Sequence, residues 1–118
     1  MRNATFVVLS GADTGSLTGS AFNVNQVVSA SFVPTFGDAT AAGTFKIQAS
    51  NDFPIAGQLA PFTPTNWADI PNATSTAVAG VAPAIVIANM CFQFIRVVYT
   101  RTGGGSTTAV VNMNVLSV

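Results

Sequence analysis

Apolar side chains in this chain recur at every second residue rather than every third or fourth, and that period restricts the fold more than any other feature. The run from Gly43 to Ser50 shows it most cleanly: Phe45, Ile47 and Ala49 fall on one side, and Thr44, Lys46, Gln48 and Ser50 on the other. A strand with one face against a core and one face open gives this pattern. No window free of Gly, Pro or β-branched clusters sustains a helical spacing, so no helix is predicted.

The same reading along the chain gives a strand at Thr5 to Ser10, a Gly/Ser/Thr-rich loop at Asp13 to Ser20, and an extended stretch from Phe22 to Val33. Trp67 to Pro71 reads as a short strand ended by its proline, Thr74 to Val78 as another, and Val81 to Ala88 as an extended apolar segment. From Phe92 to Arg101 both faces are largely apolar, which predicts a central strand. After Thr102 to Ser106, a connection of hairpin length, Ala109, Val111, Met113 and Val115 alternate with Val110, Asn112 and Asn114, so the last two strands are predicted to form a hairpin. Phe45 and Phe94 are expected in the core. Seven or eight short strands in 118 residues imply one all-β domain over residues 1–118, an antiparallel β-sandwich or a jelly-roll-like form, and the pattern alone does not decide between sandwich and barrel.

Composition narrows the function. Charged residues make up 7% of the chain against about a quarter in ordinary soluble domains, and four Lys/Arg balance four Asp. A net charge near zero favours association, so the chain is expected to work among neighbours. Arg2, Lys46, Arg96 and Arg101 are too few and too scattered for a nucleic-acid stripe. Val78 to Ile95 is interrupted by Gly80, Pro83, Asn89 and Gln93, which leaves no apolar run of the roughly 18–20 residues that a membrane helix needs. Phe6 to Leu9 is too short for the apolar part of a secretory signal, so the mature chain is expected to start at or next to Met1.

The inventory for chemistry is thin. There is no His and no Glu, and Asp13, Asp38, Asp52 and Asp69 stand apart in contexts where Asp bonds nearby backbone amides, so turn roles are expected for them. The chain is expected not to be an enzyme and to need no cofactor. Were calcium to bind, Asp52 and Asp69 would be its ligands, but no Asp-x-Asp cluster calls for the ion. Gly103, Gly104 and Gly105 lead into a strand rather than a helix, which excludes a phosphate cradle. Cys91 is single and lies between Met90 and Phe92, so it reads as a buried thiol.

Two features point to binding. Phe53, Ile55, Leu59 and Phe62 place large apolar side chains in a stretch that Pro54, Pro61 and Pro64 keep out of a central strand. They are read as an intersubunit contact, with Asp13 to Ser20 as a second contact or exposed tip. Trp67, beside Asn66 and Asp69, reads first as a packing residue and second as a platform on which a sugar ring would stack.

The run from Gly43 to Asp52 with its Gln48-Ala49-Ser50-Asn51-Asp52, then Asn66-Trp67-Ala68-Asp69-Ile70-Pro71, then Phe94 to Gly103, resembles a pattern of small bacteriophage structural proteins and of discoidin-like β-sandwiches. The resemblance covers about the last two-thirds of the chain. It implies a virion-associated β-sandwich present in many copies, as a head decoration, minor capsid, tail or spike component, whose partners are copies of itself and other virion proteins. The Phe53 to Thr65 stretch departs from the simplest form of the pattern, so no binding residue of discoidin-like loops is carried over. A carbohydrate- or receptor-binding module is the alternative, with a glycan as its partner; neither reading involves nucleic acid or a membrane.

Overall fold

The period-two segments become strands in a computed structural model that describes residues 2–52, 62–104 and 108–118. These are β1 (Arg2–Ala12), β2 (Leu17–Thr18), β3 (Phe22–Asn23), β4 (Val27–Phe36), β5 (Ala42–Ser50), β6 (Ala68–Ala77), β7 (Ile85–Ile87), β8 (Phe94–Gly103) and β9 (Thr108–Ser117). All pairings are antiparallel. A first sheet has the order β1-β9-β4-β7, and a second has β2-β8-β5-β6, with β3 also on β8.

Since β2 and β3 pair with successive parts of β8, at Tyr99 and Val98 and then at Ile95 and Phe94, they act as one strand interrupted at 19–21. Counted that way the described residues form eight strands, and the two sheet orders are those of a jelly roll, in which the chain passes repeatedly from one sheet to the other. The fold class read from the sequence is therefore observed.

Between the sheets, Phe32, Val111 and Met113 from the first meet Phe45, Ile47, Ile95, Val97 and Tyr99 from the second, all of them buried. Burying each large side chain contributes roughly 1.5–3 kcal/mol. At one end Phe36, Phe45 and Tyr99 form an aromatic cluster, with Phe45 and Tyr99 stacked at 4.6 Å. A side chain at position 43 would collide with the Tyr99 ring and the Thr100 carbonyl, so glycine is required there.

Several expectations are corrected. The last two strands are not a hairpin: β8 lies in the second sheet and β9 in the first. Pro71 does not end its strand but sits inside β6, which tolerates it because β6 is an edge strand, and Asn72 beside it takes a φ of 62°. Phe94 faces outward and is only half-buried, whereas Phe45 is in the core. Cys91 is exposed, because Met90 and Phe92 turn toward the core and the residue between them turns away.

Asp13 also departs from its expected turn role. It is fully buried, its Oδ1 accepts from the Tyr99 hydroxyl at 2.9 Å, and the Arg101 guanidinium stands 3.7 Å away. The loop after β1 is thus fastened to β8, and the segment from Asp13 to Ser20 contains β2 rather than only a loop. Asp38 keeps a turn role, accepting from the Thr40 amide at 2.7 Å.

Candidate functional site

On the outer face of the second sheet, alternation turns Lys46 and Gln48 of β5 and Arg96 of β8 away from the core, and β6 adds Asp69 from the edge. Gln48 is paired with Arg96 on one side and Asp69 on the other, which sets the three side chains in a row. Arg96 Nε donates to Gln48 Oε1 at 2.8 Å, Gln48 Nε2 donates to Asp69 Oδ1 at 2.9 Å, and Lys46 Nζ lies 3.4 Å from the same carboxylate. The amide from Gln48, with help from Lys46, holds the Asp69 carboxyl below its ordinary pKa.

Aromatic residues border this row. The Arg96 guanidinium lies over the Trp67 ring, 4.4 Å from its centroid, and Phe62 packs on Phe94 at 5.9 Å. Trp67 thus has one ring face occupied by a cation, and a ligand could stack only on the other. A depression of about 220 Å³ lies nearby, lined by Asn51, Asn66, Asp69, Pro71 and Phe92, without Trp67 in its wall. Asp52 fixes its rim by accepting from the backbone amides of Asn66 and Thr65, both at 2.9 Å, and these bonds lower its pKa.

The outer face of the first sheet is built differently. Its four strands hold one charged residue, Arg2, at the end of β1. The side chains pointing outward include Thr5, Val7, Ser31, Val33, Val110, Asn112 and Asn114, with Val86 at 71% exposure on the neighbouring β7. A shallow groove of about 330 Å³ crosses this face between Asn3, Thr5, Ser31, Val86 and Asn114.

Of the residues singled out for binding, Phe62 lies against Phe94, and Trp67 joins the polar row through Arg96. Phe53, Ile55 and Leu59 lie outside the described residues. Asp52 and Asp69, the carboxylates considered for calcium, are engaged by amides and by Lys46, and no group of three metal-ligating side chains occurs among the described residues. Sequence reasoning did not single out Arg96, Gln48 or the uncharged first-sheet face. Arg96 and Gln48 stand opposite each other across two strands far apart in the chain, and only the register brings them together.

No protein-family model matches the chain, and no curated protein matches its sequence. Among solved structures the chain is similar to the SPBc2 prophage-derived protein YomS, with a TM-score of 0.59 and 12% identity over 98% of this chain and 94% of that one. At that identity the likeness is one of fold, and it extends over nearly the whole of both chains.

Proposed function

We propose that the chain is a structural subunit of a bacteriophage particle, a decoration, minor capsid, tail or spike component acting through protein–protein contacts in the virion. The observation that carries this reading is the uncharged outer face of the first sheet. Covering such a face with a neighbour strips water from no ion, and so avoids the several kcal/mol that desolvating an unpaired charge costs a buried contact. The jelly-roll topology, an architecture of viral capsid and lectin domains, and the fold likeness to a prophage-derived protein support the phage setting. The role is geometric and needs no catalysis, cofactor or nucleic acid.

Quantitative mass spectrometry of particles purified by density gradient from cells encoding this chain provides the test. Many copies per particle are expected; a chain made in those cells yet absent from the particles overturns the reading.

A carbohydrate- or receptor-binding role is a second reading, favoured by the placing of Trp67 beside Arg96, Gln48 and Asp69, since sugar sites join an aromatic plane to amide and carboxylate groups. It predicts glycan binding on an array that Trp67→Ala removes. Absence of binding by the unaltered chain would rule it out.

A further inference from the structure

The sheet edges are unequally protected. β6 carries Asp69, Pro71, the left-handed Asn72 and a register shift; β7 has three residues; β2 and β3 have two each. Charge, proline, irregularity and shortness are the devices that stop an edge from pairing with another chain. β1 has 11 residues, no proline, and no charge beyond Arg2. Its one irregularity, at Val8, leaves the edge regular from Arg2 to Val7. Every residue in that part is exposed, on both faces of the strand, including Phe6 at 43% and Val7 at 55%.

Pairing on the other side of the sheet fixes which backbone groups are open. The Gly37 amide donates to the Thr108 carbonyl and the Val118 amide to the Gln26 carbonyl, so Thr108 and Val118 direct their backbone groups at the β4 side. Alternation along β9 then directs those of Ala109, Val111, Met113, Val115 and Ser117 at β1. Their partners Phe6, Ala4 and Arg2 are engaged, and the amides and carbonyls of Asn3, Thr5 and Val7 point off the sheet.

The geometry points to a second copy of this chain as the occupant of that edge, its β1 pairing antiparallel with this β1 about a two-fold axis at Thr5. This deepens the subunit reading by naming one of its contacts. In that register Thr5 faces its own copy and Asn3 faces Val7, so the open groups of both chains are used and the first sheet continues through the two molecules. A two-fold sets each residue near the axis beside its own copy, where a like charge would repel itself. From Asn3 to Ala12 there is none. Phe6 and Ala4 meet on one face and Val7 and Asn3 on the other, covering apolar surface that the single subunit leaves open.

The test compares the unaltered chain with Thr5→Pro, which removes the outward amide and the exposed hydroxyl bond to Asn114, and with Val7→Lys, which adds an edge charge. Sedimentation equilibrium and hydrogen exchange are expected to show a reversible dimer with Thr5 and Val7 amides protected as concentration rises. Both variants should weaken the dimer at least about 100-fold, with unchanged circular dichroism spectra. A dimer that persists in both variants, or a chain still monomeric at about 1 mM, overturns the edge pairing. Particle incorporation separates the two readings: variants that dimerise no less and still enter particles sink the edge alone, whereas dimerisation through β1 by a chain absent from particles sinks the subunit role alone.

Discussion

The two outer faces of this sandwich rest on the same pleat and differ in how their polar groups are satisfied. On the second sheet, Lys46, Asp69, Gln48, Arg96 and Trp67 engage one another, so these charges find partners within a single molecule. On the first sheet, short uncharged Asn, Ser and Thr side chains stand among exposed valines, with few partners beyond a contact such as Thr5 to Asn114 at 2.8 Å. A face whose charges are paired locally resists being covered, because a neighbour would have to replace both water and geometry; a neutral face of short side chains offers less resistance.

The largest effect that could break this contrast is in the core beneath the second face. Phe45→Ala should cost about 3–5 kcal/mol in urea unfolding, and Phe94→Ala, on the outer side, about 1–2 kcal/mol. Equal losses would mean that the outer side is itself a core. Next, Asn114→Asp should leave the stability of the isolated subunit within about 0.5 kcal/mol while weakening any contact through the first sheet by about 2–4 kcal/mol, measured as incorporation into particles. Incorporation at the unaltered level would show that this face stays open. Trp67→Ala, which removes the support beneath Arg96, should cost about 1–2 kcal/mol of thermal stability.

Titration sharpens the contrast through its direction. Asp52 and Asp69 have lowered pKa values in the fold, so their stabilisation is present above the ordinary carboxylate range and is lost as pH falls below it through their lowered values. Tyr99 is opposite: burial, with the Asp13 hydrogen bond and charge, raises it from 10.0 to about 12. Its stabilisation is intact below pH 10 and lost as pH rises toward 12. The strands of the first sheet contain no carboxylate or tyrosine. Melting temperature followed from acid to alkali should therefore fall at both ends, and Tyr99→Phe should remove the alkaline fall.

Strand positions and buried faces were legible because alternation is a local property: Phe45, Ile47, Val111 and Met113 all lie where their period puts them. Pairing partners were not. Thr102 to Gly105 has the composition of a tight turn, yet Gly104 takes a φ of 63° and packs onto the Thr40 carbonyl where a side chain would not fit, as the chain leaves one sheet for the other. Pro71 read as a terminator because nothing local says that β6 is an edge. Asp13 read as a turn residue because its partners, Tyr99 and Arg101, are more than eighty positions away. Trp67 was visible as an aromatic among polar residues, but the cation over its ring comes from β8.

The pairing of Arg2 with Ser117 has a consequence for synthesis. β9 lies between β1 and β4 and pairs with both, so β1 has no place in the first sheet until translation has passed Thr108, although β4 can already pair with β7. A chain released earlier leaves β1 without the strand that orders its edge. The first and ninth strands thus form a clasp that shuts late: a copy cut short before Thr108 has no complete outer face on its first sheet to present.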